Sequence, residues 1–423
     1  MRVHIIGAGL AGLAAAVRLA DADTHVRLYE AAPRAGGRCR SYHDPHLDCV
    51  IDNGNHLLMS GNHAVHTYLD AIGARERLTG PSSAAYPFLD VQTGARWSLQ
   101  PSRGRIPWWL LDARRRVPGT TPRSYFSALK LLQARPGETV ADLVKPGSAL
   151  YRNFWEPLTI AALNTAPDQA AAILMRPVLL ETFFKGADAC RPLIARDSLA
   201  DTLVDPAVAY LTARGAEVRF GVRVRSLSLA NDRLAQIETD DGPVSIENGD
   251  VVIVAAPAWI AETLVPDLTV PPAGEAIVNV HYRLPRSVTA PRSVSITGVI
   301  GGLAQWVFVR EGLASVTISA AGAVADESAE VIAARCWSDV ARVLGESAMA
   351  APPARVIKEK RATFAQTPAA ITRRPGTESR YPNLLLAGDW TATGLPATIE
   401  GAVRSGFSAA EAVRDRRARA KAA

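Results

Sequence analysis

Cysteine is scarce in this chain and poorly spaced for any framework. Cys39, Cys49, Cys190 and Cys336 form no CxxC pair and no metal-ligand spacing. Neither a disulfide scaffold nor a metal centre is expected, and a reducing, cytoplasmic setting fits this cysteine usage. No apolar run approaches the roughly 18 residues that cross a bilayer. Aromatic residues are only 6% of the 423, so a cavity must be lined mainly by Ala, Leu, Val and Ile. Repeats and low-complexity linkers are missing too, apart from a basic RDRRARAKAA end that reads as a frayed tail.

What is present is an ordinary folded composition, 48% hydrophobic and 21% charged, in a chain long enough for about two to four domains and a large core. The net charge of +6 is local. Residues 96 to 124 hold Arg96, Arg103, Arg105, Arg114, Arg115, Arg116 and Arg123 against the single acid Asp112, which accounts for all of it. A chain whose remainder sums to zero has no general nucleic-acid signature, so no nucleic-acid partner is expected. Trp97, Trp108 and Trp109 lie in the same stretch. Residues 103–124 read either as a peripheral membrane contact or as a solvated loop with arginines paired elsewhere in the fold.

The first thirty residues carry a dinucleotide fingerprint. Val3–Ile6 is a short apolar strand, and Gly7-Ala8-Gly9-Leu10-Ala11-Gly12 follows it. An Ala-rich helical pattern comes next, then HVRLYE, a strand ending in Glu30. Gly7 permits the tight turn, Gly9 lets backbone approach a pyrophosphate, and Gly12 allows helix and sheet to pack closely. The helix N-terminus then offers unpaired N–H groups to the phosphates, and Glu30 suits ribose hydroxyls. This context assigns MRVHIIGAGLAGLAAAV to the fingerprint and not to a signal peptide. A second complete fingerprint, as a dedicated NADPH site would need, is missing.

The stretch after Glu30, Ala31-Ala32-Pro33-Arg34-Ala35-Gly36-Gly37-Arg38, resembles the flavoprotein family of amine oxidases, phytoene desaturases and their relatives. The resemblance implies FAD, with Gly36 and Gly37 close to the cofactor, Arg38 at its pyrophosphate and Arg34 as a second contact. It extends to NLLLAGDW and PATIEGAVRSG near the end of the chain. There it implies Gly388 and Asp389 at the ribityl chain or pyrophosphate, and amides of Thr398, Ile399, Glu400 and Gly401 at the flavin pyrimidine edge. In the middle, GAEVRFGVRVRSL places Val224 against adenine, and DVVIVAAP carries Ala255 beneath the cofactor. The expected fold is α/β, a Rossmann-like FAD-binding domain with an inserted α+β substrate domain. The cofactor domain would comprise 1–75, 197–265 and 376–423, and the substrate domain 76–196 and 266–375. The first insertion reads as helical around 125–132 and 168–185. In the second, AIVNVHYRL, SVSITGVIG, QWVFVRE and ASVTISAAG suggest an antiparallel cavity floor, followed by a helix from Asp326 to Leu344.

Two further blocks, IDNGNHLLMSGN and NFWEPLTIAALNTAPDQA, resemble the hydroxysqualene dehydroxylase family of squalene and hopanoid biosynthesis. That implies an isoprenoid substrate, loss of an allylic hydroxyl with hydride transfer from reduced flavin, and association with upstream squalene-synthesis enzymes. Such chemistry needs a proton donor beside the flavin in a water-poor pocket. Asp52, His56 and Glu156 are the candidates. Each has a structural alternative: a self-satisfied Asp52-Asn53-Gly54 turn, a packed histidine, and a helix N-terminal acid. Asn164 and Thr165 are read as capping or orienting residues, Asn62 as the cap of the next helix, and His4 and His281 as core or surface histidines. The rival activities are a carotenoid or phytoene-type desaturase running in the opposite direction and an amine oxidase. A flavin-bearing scaffold without activity is the reading from another class. No metal ligands are assigned.

Overall fold

The structure, a computed structural model, describes residues 1–21, 23–285, 295–310 and 312–422. Its first layer is a five-stranded parallel sheet in the order Glu217–Phe220, His25–Glu30, Arg2–Ile6, Val251–Val254, Leu384–Leu386. Val251–Val254 is buried along its whole length, as expected of a central strand covered on both faces. Helix Leu10–Leu19 and the last helix, Ile399–Ala422, pack side by side against one face. Gly406 makes that approach possible, because a Cβ there would sit 2.2 Å from the Ala11 carbonyl oxygen. The two helices run parallel: Arg414 reaches the Arg18 carbonyl, and Arg417 lies 3.3 Å from Asp21. Their N-termini, with partial positive charge, therefore point to the carboxyl end of the sheet.

The second large sheet has seven strands: Ala354–Glu359, Ile277–Arg283, Leu313–Ile318, Trp306–Arg310, Ser295–Ile300, Tyr86–Asp90 and Arg96–Leu99, in that order. The strand-like text of the second insertion forms its antiparallel part. Ser293, Val294 and Glu311, at the ends of expected strands, lie outside the described residues. The first insertion, read as helical, supplies the last two strands. Tyr86–Asp90 pairs in parallel with Ser295–Ile300, and Phe88 lies over Gly298, where a Cβ would be 2.4 Å from the ring. Asp90 closes the hairpin by accepting the N–H groups of Gln92 and Thr93 at 2.9 and 3.1 Å.

Helix Ala329–Leu344 starts three residues later than expected, capped by the Ser328 hydroxyl and ended by Gly345 at φ 77°. Residues 168–185 do not form one helix. Met175–Glu181 is helical between two single 3₁₀ turns, and the Thr182 hydroxyl bonds back to the Val178 carbonyl where it stops. Tyr151–Trp155 and Ala200–Val204 are π turns, each just ahead of a proline, Pro157 or Pro206, that has no N–H to continue the ordinary ladder. Among the described residues no helix is long and apolar enough to cross a membrane.

Candidate active site

The turn after the first strand is built around its glycines. A Cβ on Gly7 would meet the Ala255 carbonyl oxygen at 2.7 Å, and one on Gly12 would meet the Gly7 oxygen at 1.9 Å. Gly9 is different: a Cβ there meets no protein atom within 4 Å, so the inner side of the turn is open. The Gly36–Gly37 loop faces this hollow. Gly36 donates to the Ala8 carbonyl at 2.8 Å, and a Cβ on Gly37 would lie 3.4 Å from Gly9 Cα. Gly36 and Gly37 have φ of 112° and 54°, which glycine adopts without strain. Glu30 holds the other rim, accepting from the Ala8 and Ala32 N–H groups at 2.8 and 2.9 Å and retaining lone pairs for further donors. Gly221 and Val222 donate to the carbonyls of Ala32 and Glu30 at 3.0 and 2.9 Å, two residues before Val224, which pairs with Thr239. Arg34 is exposed and makes no hydrogen bond or ion pair with the described residues.

Arg38 joins the two ends of the chain. It donates to the Asp389 carboxylate at 2.7 Å and to the Ala362 carbonyl at 2.6 Å. Asp389 is 5% exposed, and its charge raises the Arg38 pKa above the ordinary value. A cavity of about 200 Å³ opens beside this pair, lined by Arg38, Trp259, Phe364, Asp389 and Trp390. The Gly388 N–H is held by Ser405 at 2.8 Å. Thr398 accepts from the Gly401 N–H at 3.1 Å, which leaves the first amides of the last helix, at Ile399 and Glu400, directed out of its end. Sequence reasoning missed Arg374. Its guanidinium donates to the carbonyls of Asp389, Trp390, Thr391 and Leu395 and lies 4.6 Å over the Phe364 ring, so it shapes the whole loop before the helix. Burial lowers its pKa to about 10. The Arg373-Arg374 pair in loop text gives no signal of that role.

The IDNGNH segment bridges this cradle and the seven-stranded floor. Asn53 donates to the Arg40 carbonyl at 2.9 Å. Asn55 donates to Thr317 Oγ1 at 3.1 Å, and its own N–H faces Asn279 Oδ1 at 3.4 Å. Asn279 and Thr317 are buried and bonded to each other at 2.9 Å. Asn279 was also missed, although a buried amide interrupting the apolar run VNVH was a readable sign.

The three proton-donor candidates end in different settings. Asp52 is 5% exposed, and Oδ1 accepts from Ser41 at 2.6 Å and from the Leu199 N–H at 2.8 Å, while Oδ2 faces Arg310 at 3.5 Å. A carboxylate so engaged anchors its strand to the Leu199 helix start. His56 is half-buried and makes no hydrogen bond with the described residues. Burial first, and then Arg38, lower its pKa from 6.5 to about 4, so the ring is neutral at pH 7. Glu156 opens helix Glu156–Leu163, has no polar partner among the described residues, and has its pKa raised by burial. The far end of that helix is tied to the cofactor side. The Leu163 carbonyl accepts from Gln366 at 2.5 Å, Gln366 accepts the Ala397 N–H at 2.9 Å, and Asn164, at φ 46°, donates to Thr363 at 3.1 Å. At 1.5 Å per residue, Glu156 stands about 10 Å back along the helix from that tie. Arg38 is the charge that shifts His56, and among the described residues no hydrogen bond or ion pair joins His56 to Glu156.

Behind the polar wall, Leu57 packs with Ile194, Ile296, Phe308 and Trp306, and Met59 touches the Tyr86 hydroxyl through sulfur at 3.3 Å. Helix His63–Ala71 begins where expected, but the Asn62 side chain does not cap it. Asn62 accepts the Met59 N–H at 2.7 Å, and the helix N–H groups of Ala64 and Val65 are taken by Glu400 at 3.0 Å each. His4 and His281 are buried in their strands.

A glycine-lined hollow at a helix N-terminus, an acid on its rim and a second helix end beyond it define an oxidoreductase of the dinucleotide-cofactor class. The sequence profile of the family described as flavin containing amine oxidoreductase matches residues 10–414. The chain belongs to that family and is a flavin-dependent oxidoreductase. It is 45% identical over 412 residues to the hydroxysqualene dehydroxylase of Rhodopseudomonas palustris, covering 97% of this chain and 98% of the relative. It is 44% identical over 408 residues to the same-named protein of Zymomonas mobilis, covering 96% and 98%. A zeta-carotene desaturase relative from Synechococcus elongatus is more distant, 26% identical over 63% of this chain and 59% of its own length. Among solved structures, wild-type putrescine oxidase bound to putrescine superposes with a TM-score of 0.69 at 17% identity, covering 98% and 99%. An oxidoreductase from Methanosarcina mazei gives 0.65 at 16%, covering 97% and 100%. At these identities the two structures show a common fold.

Proposed function

We propose that the protein is an FAD-dependent hydroxysqualene dehydroxylase, converting an allylic C30 alcohol to squalene in squalene and hopanoid synthesis. The observation that carries this reading is 44–45% identity to three proteins of that name, sustained over nearly all of both chains. FAD, rather than a shorter flavin, is supported by Glu30 on the rim of the Gly7–Gly12 turn, where a ribose would need acceptors. Gly9, Gly37, Arg38 and the start of the last helix would hold its phosphates and ring, and Arg38 and Asp389 would exchange part of their present contact for it.

The reaction breaks the allylic C–O bond, forms one C–H bond and releases water, so it consumes one proton and one hydride. Reduced flavin supplies the hydride and is oxidised by two electrons. The chain supplies the rest. His56, without a competing hydrogen bond and neutral at pH 7, donates an N–H to the substrate hydroxyl and orients it toward the cofactor. Glu156, with no polar partner among the described residues and its pKa raised by burial, is the proton reserve, and from about 10 Å back along its helix its proton must reach the hydroxyl through a relay. Asp52 holds the wall in position. The apolar side chains around Leu57 exclude water and accept the isoprenoid chain.

The test is anaerobic mixing of pre-reduced holoenzyme with hydroxysqualene, following squalene and flavin reoxidation together. Stoichiometric formation of both is expected. Oxidised enzyme bleached by a saturated isoprenoid would identify a desaturase instead, and peroxide release from amines an amine oxidase. An enzyme inert to all three classes would sink the reading.

A further inference from the structure

The arginine-rich stretch has no part in the site above, and its arginines fall into two populations. Arg115 and Arg116 turn inward. Arg115 donates to the carbonyls of Gln100 and Pro101 at 3.0 and 3.2 Å, and Arg116 to those of Thr120 and Leu110 at 3.0 and 2.7 Å. Arg105 and Arg123 are exposed with no partner among the described residues. Arg103 and Arg114 are exposed with loose contacts only, 3.8 Å to Asp188 and 3.4 Å to Asp112.

Large apolar side chains project from the same segments. Trp109 turns inward and meets Tyr125 edge-on at 5.4 Å, while its neighbours Trp108 and Leu111 are 61% and 67% exposed. Tyr125 is buried, and Phe126 beside it is 66% exposed. Ile106, Leu129 and Leu180 are exposed as well. Distant segments are locked together to present them. Helix Ser127–Leu132 packs on Met175–Glu181. Gly186, just beyond, closes on the Gly104 carbonyl so tightly that a Cβ would sit 2.1 Å away, and Ala187 donates to Ser102 at 2.9 Å. Exposed aromatic and aliphatic tips at this density are unfavourable in water unless something covers them.

We propose that this face docks on an anionic lipid bilayer. Trp108, Leu111 and Phe126 enter the boundary between headgroups and acyl chains, and Arg105, Arg114 and Arg123 pair with lipid phosphates. Charge decides the choice of partner. Asp112 and Asp188 on this face each stand against an arginine, and Glu181 beside it pairs with Arg404, so the unpartnered Arg105 and Arg123 leave an excess of positive charge that suits an anionic surface. Projecting apolar tips among exposed arginines favour a deformable layer over a rigid complementary protein.

The test uses the full-length holoprotein, sedimented with vesicles of phosphatidylcholine alone or mixed with phosphatidylglycerol. Pelleting with the anionic vesicles is expected, weakening with salt. Arg105→Ala, Arg114→Ala and Arg123→Ala should each lower the partition coefficient about fivefold. Trp108→Ser with Phe126→Ser should lower it about tenfold or more, with flavin absorbance unchanged because both side chains lie outside the packed interior. Wild-type protein left in the supernatant at every composition, or variants that pellet like wild type, would overturn the proposal. So would a change of oligomeric state in Trp108→Ser/Phe126→Ser without vesicles, which would make the face a contact between copies. Vesicle binding is read without turnover, so its failure and failure of the dehydroxylase assignment are separate results.

Discussion

Arg404 lies one turn after Glu400 on the last helix and holds two carboxylates from different parts of the chain. Its Nε donates to Glu400 Oε1 at 2.9 Å, and its Nη2 pairs with Glu181 of the first insertion. Replacing it by methionine keeps the stem and removes the cation. Glu400 is then a 4% exposed carboxylate with only the Ala64 and Val65 N–H groups to satisfy it. Breaking one side of a buried ion pair costs about 3–5 kcal/mol. Here the arginine side chain is 31% exposed and two charge-assisted bonds survive, which brings the expected cost of Arg404→Met to about 2–3 kcal/mol. Glu400→Gln should cost about as much, because its amide must turn an NH₂ toward one of two backbone donors. The double variant leaves no unpaired charge at that position, so it should be less destabilised than the sum of the singles by about 1–2 kcal/mol. Urea unfolding of the four holoproteins at pH 7, followed by circular dichroism, measures the cycle. Additivity within about 0.5 kcal/mol, or an Arg404→Met protein as stable as wild type, would refute the reasoning.

Three further outcomes are expected. Gly9→Ala should fold with wild-type stability, since its Cβ meets no protein atom within 4 Å, yet retain flavin at least about tenfold more weakly by filling the hollow; Gly12→Ala, with its Cβ 1.9 Å from the Gly7 oxygen, should instead lose about 1–3 kcal/mol or more of stability. Equal flavin retention by Gly9→Ala and wild type, measured by ultrafiltration, would remove Gly9 from the cofactor site. His56→Phe should keep its flavin and lose about 10²–10⁴ in single-turnover rate, whereas Asp52→Asn should mainly lower the urea midpoint; the reverse pattern would exchange their roles. Burial depresses the His281 pKa from 6.5 to about 4, so the folded state takes up its proton less readily than the unfolded chain. Its contribution is complete above pH 6.5 and is lost as pH falls toward 4, amounting to about 2–3 kcal/mol between pH 7 and 4.5. His281→Asn should flatten that part of the stability profile, and an unchanged slope would count against it.

The cofactor half was readable because its determinants are local. The Gly7–Gly12 spacing, the acid at position 30 and the glycine pair at 36 and 37 each act within a turn or two of their own position. The substrate half depends on partners far away in the chain. Tyr86–Asp90 is a strand because Ser295–Ile300 lies beside it, and five residues of mixed text could not announce that. Asn62 looked like a helix cap, but the cap comes from Glu400 at the other end of the sequence. Asp52 was expected beside the cofactor from its neighbours in sequence, whereas its engagement by Ser41, Leu199 and Arg310 required three segments to meet.

The parallel packing of the first and last helices also sets the order in which the protein can be made. Ala11, Ala14 and Ala15 emerge from the ribosome among the first residues, yet the surface that covers them around Gly406 is among the last. The same delay leaves the edge of Val251–Val254 without its neighbour until Leu384–Leu386 has been synthesised. A chain released before that point carries an uncovered apolar helix face and an unpaired strand edge, the two surfaces through which nascent chains aggregate. Synthesis of the segment from Leu384 through the last helix is thus the step that covers both surfaces at once.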